Sequence, residues 1–498
     1  MESTVADPRN QLQKQFEPGN RYARFGNALV RLDVRGFRSH ANSLIEFRSA
    51  VTAFCGPNGT GKTTLLQLAA CAYQSPTTDQ SYALRNFFAV SKLDPTPFAA
   101  DAQLVVSAWQ HDQKARSYTL ARRPSSNWSG YSKREKRAVK FIGAGDYLPR
   151  VEQQDFAFKN AARLSVQSQT PWAGEVTAWV AKILGTSYDA IERANVFVNK
   201  RTDSILSSAR GSLRYSEHHM GFGECRIHNL VDVLEAQPEK SLLLLEEPEI
   251  SLHQAAQYRF GEYLLSLAMR RGHQILLSTH SEHLLRSLPQ ASRILLARDP
   301  SGALRTLPGL ASAQAVSLMT NGHDKAMTVV VEDDVARCIL TEMMATKQVH
   351  LLQSTRVIIG GYRDDKGRTV AGGKEAIAQA MKTLHESGLK VAAVLDADAS
   401  AVPESFVFKL PGSLPPEKEV FAAPAVRAHW TTTYGIDVPG FMAEIAGVDH
   451  HEWFERLASR LNRTRDFLVG EAARVYAANL GSAADTLVDQ LVEAANRT

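Results

Sequence analysis

The stretch Gly56-Pro-Asn-Gly-Thr-Gly-Lys-Thr63 has the spacing GxxxxGK[ST] and sits between an apolar strand pattern and a helix start. Glycines in such a loop let backbone N–H groups wrap phosphate oxygens at a positive helix end. Asn58, Gly59, Gly61, Lys62, Thr63 and Thr64 are therefore expected to hold the phosphates of ATP. Lys62 would reach the β and γ phosphates, and the Thr63 hydroxyl would bind Mg²⁺. Downstream, "SLLLLEEPEISLH" is a buried strand pattern ending in Glu246 and Glu247. Glu246 can orient the magnesium through water, and Glu247 is placed to polarise the attacking water. His280 follows the next apolar run, "ILLST", where it could sense the γ phosphate. A double acid at a strand end is by itself most simply a solvated terminus; here it gains weight from the loop and the histidine.

A second group of acids lies further along. Glu332 follows "TVVV", and Asp396 and Asp398 follow "VAAVL", with the glycine-ended run "VIIGG" between them. Open α/β sheets collect ligands at the carboxyl ends of their strands. Three carboxylates around one concavity suit Mg²⁺, or Mn²⁺, because hard cations take oxygen ligands. The matching chemistry is metal-assisted phosphodiester cleavage, with DNA or RNA as the substrate. Taken alone, Glu332 reads as surface charge ending a strand; the combination favours a metal site. "FKLPGSLPPEKEVF" adds Glu417 as a further metal candidate, although Pro416 and the glutamates fit a plain helix start equally well.

These residues need elements to position them. Residues 1–26 are polar and aperiodic and read as a tail or partner-binding arm. An ATPase domain is expected over 27–310, opened by "ALVRLDVRGF", "SLIEF" and "VTAFC" as strands. Within it, 125–215 reads as a mostly helical insertion, a possible dimerisation arm, from the spacing of "PWAGEVTAWVAKIL". Residues 311–325 form a weak linker candidate. A second strand–helix alternation spans 327–425, and 426–498 is amphipathic and helical. The fold class is α/β throughout its first two parts, with a helical C-terminus.

The order of phosphate loop, glutamate-rich strand and switch histidine resembles ABC-class ATPases of the chromosome-maintenance and recombination type. Those proteins carry a signature shortly before the second strand motif, and "MGFGE" stands there, with Gly221 in place of the usual serine. The resemblance implies a homodimer or higher oligomer in which Gly221 and Gly223 of one subunit cover the partner's ATP. It also implies a Q-loop glutamine, for which Gln103 and Gln110 are the candidates. Glu332, the glycine after the second strand, and the Asp396–Asp398 pair resemble a Toprim domain. An ABC-type ATPase followed by a Toprim-like domain resembles the OLD (overcoming lysogenization defect) family, cytoplasmic ATPase-nucleases, many of them in anti-phage defence. That family implies a lysine near the scissile phosphate, for which Lys409 and Lys418 are the candidates. The usual continuation EGxxD or EGxxE is here Glu332-Asp-Asp-Val-Ala336, so one acid of a two-metal set is unassigned.

Composition narrows the classes. The chain has 498 residues, 44% hydrophobic and 22% charged, with a net charge of +5. That mild excess permits nucleic-acid binding without arguing for it. "RSYTLARRP" and "YSKREKRAVK" interleave cations with Tyr118, Trp128 and Tyr131, which would suit a nucleic-acid track or a solvated loop. "YRDDKGR" near Tyr362 is a candidate backbone contact. Cys55, Cys71, Cys225 and Cys338 lack CxxC spacing, so neither zinc nor a disulfide framework is expected. No apolar run spans a bilayer, and the first residues lack a signal-peptide core, so a soluble cytoplasmic protein is expected. The leading expectation is an ATP-regulated nuclease, with a protein or nucleic acid as a candidate regulatory partner. Its rivals are an ATP-driven sensor or scaffold whose Toprim-like fold does not cut, supported by Ala336, and a DNA-repair type ABC ATPase.

Overall fold

The computed structural model describes residues 7–77, 81–123, 127–147, 152, 155–299, 301–320, 322–363, 369–371, 373–387, 389–400 and 404–496, with the backbone alone for 361–363, 369–371, 373–376 and 378. It divides into two compact units, Met1–Ala315 and Val316–Thr498.

The first unit holds three sheets. β1 (Leu29–Phe37) and β2 (His40–Glu46) pair antiparallel, and β4 (Phe98–Trp109), β5 (Ala115–Arg122) and β6 (Trp128–Ser129) extend them in the order β2-β1-β4-β5-β6. β3 (Val51–Cys55) lies inside a six-stranded sheet with β7 (Val139–Ile142), β12 (Leu242–Glu246), β13 (Gln274–Ser278), β14 (Arg293–Arg298) and β15 (Leu304–Pro308). Its order is β15-β14-β3-β13-β12-β7, parallel except for the β15 edge. Every residue of β3 and β13 is buried, as continuous apolar strands covered on both faces must be. The helix Lys62–Ala70 packs Leu65, Leu66 and Leu68 into one core with Val34, Leu104, Leu242 and Leu276 from the two sheets.

Two expectations are corrected here. The polar tail at 1–26 contains two helices, Pro8–Gln15 and Pro18–Phe25, whose Leu12, Phe16 and Phe25 are buried. Three apolar anchors in a polar stretch are too few to give a periodic signal. The mostly helical insertion is instead dominated by an antiparallel sheet, β11-β10-β9-β8, with one helix of length, Gly174–Leu184. Its strands are β8 (Ser165–Pro171), β9 (Ala190–Val198), β10 (Arg201–Arg210) and β11 (Leu213–Ser216). Asn199 and Lys200 both take positive φ, 46° and 67°, closing a two-residue turn between β9 and β10. Such turns match strand twist, and the asparagine was the legible signal for this one.

The second unit is built on a parallel sheet, β17-β16-β20-β21. β16 (Met327–Val331) is central, flanked by β17 (Thr355–Ile359) and β20 (Val391–Leu395), with β21 (Val407–Lys409) beyond. A short antiparallel pair, β18 (Gly361–Arg363) and β19 (Thr369–Ala371), stands apart. One sheet face (Val329, Val331, Ala392, Val394) packs on the helix Asp334–Lys347 and on the helices of 416–496. The opposite face (Val330, Ala393, Leu395) packs against Ile377, Met381 and Phe406. The linker candidate at 311–325 holds a helix, Ser312–Met319.

Candidate functional site

In the first unit the phosphate loop leaves β3 and enters the helix Lys62–Ala70. Gly56 and Gly61 are required by their surroundings. Gly56 has φ 142°, and a Cβ there would lie 2.2 Å from Leu296 O. Gly61 has φ 90°, and its Cβ would lie 2.4 Å from His40 Nε2. His40 was not picked out from the sequence. It is buried, its Nε2 lies 3.1 Å from Gly61 O, and its Nδ1 lies 3.0 Å from Ser43 Oγ. Burial holds its pKa below the usual imidazole value, so a neutral ring props the loop.

Lys62 is buried, and Nζ donates to Gly56 O at 2.8 Å and Pro57 O at 3.1 Å. Burial lowers its pKa. An ammonium whose hydrogen bonds go to neutral carbonyls, with the charges of Glu247 and Glu249 nearby, is the cation that a phosphate anion would draw outward. Asn58 and Gly59 are exposed on the loop crest, and Thr64 is buried behind it. The Thr63 hydroxyl donates to Glu246 Oε1, so the end of β12 meets the loop where a magnesium ligand set would need them together.

Glu247 follows with φ 44°, a left-handed conformation rare for a residue with a side chain. It is held there from two sides: its N–H donates to Ser278 O at 3.1 Å, and Arg226 Nη2 donates to its carbonyl at 2.6 Å. Strain maintained by neighbours in this way is characteristic of functional positions. His280 Nε2 lies 3.6 Å from Glu247 Oε1. Burial and the Lys62 charge lower the His280 pKa, leaving the ring neutral. Glu249, also not anticipated, is buried and accepts from Thr279 Oγ1 at 2.6 Å and His280 N at 2.9 Å. Burial raises its carboxyl pKa. It anchors the histidine from behind, and "EEPE" was the only trace of it in the sequence.

Gly221 is the exposed N-cap of the helix Phe222–Glu235, with open space around it. Gly223 has a packing reason to be glycine, since a Cβ would lie 2.7 Å from Ser251 O. Gln110 closes the β4–β5 turn through its N–H to Lys114 O, and Gln103 pairs within the sheet.

In the second unit, adjacent registers of β16 and β20 bring Glu332 and Asp396 to one sheet edge. The Asp396 N–H donates to Glu332 Oε1 at 3.0 Å. Asp396 Oδ1 is buried without a hydrogen-bond partner among the described residues. Burial pushes the Asp396 carboxyl up to about 8, helped by the charges of Asp333, Glu332, Glu417 and Asp398. Burial also raises Asp333 and Glu417. Asp333 is partly committed, capping the next helix by accepting from Ala336 N at 2.7 Å. Asp334 is turned elsewhere: despite burial, its bidentate pair with Arg465 holds its pKa low. Two of these carboxylates, Asp396 and Glu417, each keep a buried oxygen without a hydrogen-bond partner among the described residues, and carboxylate oxygen is the donor type that hard divalent cations take. Gly360, after β17, has a packing reason to be glycine: a Cβ there would lie 2.5 Å from Ile377 Cγ1 and 2.8 Å from Val330 Cγ1. Lys409 is exposed at the end of β21, and Lys418 follows Glu417 on the helix Pro416–Ala422.

Part of the basic track is built into the structure, while Arg116, Arg123, Lys133 and Lys136 stay exposed. Arg134 Nη1 donates to Cys71 O and Tyr82 O, Arg137 is buried, Tyr118 is buried, and Trp128 stacks on Phe37 with ring centroids 5.5 Å apart. These cations and rings serve carbonyls and the core, so they are not free to line a strand of nucleic acid. Most of "YRDDKGR" lies outside the described residues. No helix among the described residues is long and apolar enough to cross a membrane.

Two families match parts of the chain. Residues 94–286 match "AAA domain, putative AbiEii toxin, Type IV TA system", and residues 31–124 match "AAA domain". Over residues 31–286 the first unit is thus similar to AAA ATPase domains, in keeping with its phosphate-loop geometry. No curated protein sequence matches the chain. Solved structures similar to it include the SMC head domain from Thermotoga maritima, at 17% identity and TM-score 0.36, covering 56% of this chain and 98% of that one. The SMC head bound to the C-terminal winged-helix domain of ScpA is similar at 15% identity and TM-score 0.38, covering 56% and 97%. An SMC head with an extended coiled coil, bound to the C-terminal domain of ScpA and derived from Pyrococcus furiosus, is similar at 14% identity and TM-score 0.36, covering 56% and 96%.

Proposed function

We propose that the chain is an ATP-regulated, metal-dependent nuclease, with a Toprim-like cleavage site in its second unit and an OLD-like overall plan. The observation that carries this reading is the convergence of Glu332, Asp333, Asp396, Asp398 and Glu417 around an unpartnered buried oxygen of Asp396. Structural acids of surface strands do not gather in this way, because unscreened like charges in a buried site repel. Glu332, Asp396 and Asp398 would hold Mg²⁺ or Mn²⁺, with Asp333 and Glu417 as neighbouring acids. When bound, such an ion activates water and steadies the leaving oxygen of a phosphodiester.

In the first unit, Lys62 would neutralise the β and γ phosphates of ATP, and Thr63 with Glu246 would take its magnesium. Glu247, fixed by Ser278 and Arg226, would orient the attacking water, while His280 reads the γ phosphate. The open N-terminus of the Phe222–Glu235 helix, led by Gly221 and Gly223, is a surface on which a second subunit's ATP could be capped. A homodimer closed by ATP would then gate cleavage. The anti-phage role that the OLD resemblance implies is compatible with the toxin named in the matched family's description.

The test is incubation with supercoiled plasmid and with total tRNA, in Mg²⁺ or Mn²⁺, with and without ATP. Cleavage of either polymer that disappears in Asp396→Ala, while ATP hydrolysis persists, is the expected result. Intact substrates under every condition would sink the nuclease reading and leave a non-cutting sensor or a DNA-repair type ATPase.

A further inference from the structure

Beside the oxygen-rich cluster lies a group of different chemistry. Glu417, His450 and His451 place one ligand atom each within 4.8 Å of one another. Glu417 is 1% exposed; its Oε1 lies 3.1 Å from His451 Nδ1, and its Oε2 has no hydrogen-bond partner among the described residues. A buried carboxylate with an idle oxygen, aimed at two imidazoles, is an incomplete arrangement. The histidines belong to the short turn His450–Glu452, fixed by Asp449, whose Oδ1 accepts from His451 N at 3.1 Å. Their rings lie 4.1 Å apart at 35°, close enough for one nitrogen of each to fall within 4.8 Å of the other and of Glu417. Solvent reaches them, since His451 is 63% exposed and His450 22%.

We propose that Glu417, His450 and His451 form a second metal position, selective for a borderline transition cation of the Zn²⁺ class over Mg²⁺. Two imidazoles and one carboxylate with open positions are a zinc-type ligand set, whereas Mg²⁺ prefers oxygen alone and dehydrates reluctantly. Metal–ligand bonds of about 2.0–2.2 Å require the three atoms to draw closer by small side-chain rotations, which the exposed histidines allow. The position adjoins the cleavage site, because Glu417 and Asp333 both act on Asp396, and Asp398 acts on His450. Glu417 then belongs to the histidine group rather than to the Mg²⁺ set. The two positions would thus be filled by different ions.

Co²⁺, which reports imidazole coordination through its visible absorption, tests this on the chelator-treated full chain. One Co²⁺ per chain is expected to develop the absorption and to be displaced by Zn²⁺ but not by millimolar Mg²⁺. His450→Ala with His451→Ala, and separately the isosteric Glu417→Gln, should each weaken Co²⁺ at least about tenfold. Asp396→Asn should leave the absorption in place while it removes cleavage, so the two sites fail or stand separately. Equal Co²⁺ affinity and spectrum in the histidine double variant and in wild type would overturn the proposal. Displacement by Mg²⁺ would do the same.

Discussion

The main-chain N–H of Asp396 donates to the carboxylate of Glu332 across two neighbouring parallel strands, at 3.0 Å. The bond makes Glu332 both a positioning acceptor and a charge, and substitution can separate the two. Glu332→Gln keeps an acceptor oxygen in place, so its unfolding free energy should stay within about 1 kcal/mol of wild type. It removes one of the charges that raise the Asp396 pKa and one oxygen donor for the ion. Mg²⁺-supported cleavage should fall by about two orders of magnitude or more. Glu332→Ala should lose about 1–2 kcal/mol as well, because the Asp396 N–H is then unpaired. Equal stability of the two variants, measured by urea unfolding, would show that the bond carries no weight.

Glu247 sits at φ 44° with its N–H and carbonyl both engaged, which leaves only the carboxylate free to act. Glu247→Gln preserves shape and removes the charge that would polarise water. ATP affinity is expected to remain within about threefold while steady-state phosphate release falls about a hundredfold or more. Fluorescent-nucleotide binding and phosphate release check the two halves separately. Normal turnover would remove Glu247 from the chemistry.

The candidate ATP site was legible because its signals are local: the phosphate loop, the double glutamate and the histidine each follow a strand within a few residues. What escaped were residues whose roles depend on distant partners. His40 supports Gly61 from β2, and Glu249 holds both Thr279 and the His280 N–H, and neither pattern has a sequence period. The strand-end acids Glu332 and Asp396 were legible from "TVVVE" and "VAAVLDAD", but their adjacency is a fact of strand order. The histidine pair His450–His451 lies over 30 residues beyond Glu417 in a helical stretch, with no metal-ligand spacing to mark it. The sheet at β8–β11 was missed because one amphipathic helix, Gly174–Leu184, dominated the pattern around it.

Arg137 is a buried cation with no carboxylate partner among the described residues. It donates to Lys240 O at 2.8 Å, Gln274 Oε1 at 2.9 Å, and the carbonyls of Asn27, Phe25 and Ser241. These carbonyls come from the end of the Pro18–Phe25 helix, the approach to β1 and the start of β12, so one guanidinium ties three segments. Arg137→Ala removes the donor to Lys240 O and Phe25 O in a dry place, while Asn27 O keeps Tyr73 Oη, Ser241 O keeps Gln274 N and Gln274 Oε1 keeps Leu29 N, and it should cost about 2 kcal/mol or more. Arg137→Lys, with three donors in place of a planar fork, should recover only part of that. Urea unfolding of both variants checks the order wild type, lysine, alanine. A lysine variant as stable as wild type would mean that charge alone suffices.

His273 gives the first unit a pH dependence whose sign can be worked out. Its ring is buried, Nδ1 accepts from Ser241 N at 3.2 Å, and Nε2 has no partner among the described residues. Burial, with the charges of Arg271, Arg137 and Arg270, pushes its pKa down to about 3 from an ordinary 6.5. The unfolded chain therefore takes up a proton below pH 6.5 that the folded chain refuses until about pH 3. Stability from this group is complete above pH 6.5 and is lost progressively as pH falls through that window, at about 1.4 kcal/mol per pH unit. Between pH 7.5 and 5.5 the loss should be about 1.4 kcal/mol. His273→Asn keeps an acceptor near Ser241 N and cannot be protonated, so its unfolding free energy should fall by that much less over the same interval. Urea unfolding at the two pH values gives the comparison, and parallel losses in wild type and His273→Asn would show that the imidazole is protonated without penalty in the fold.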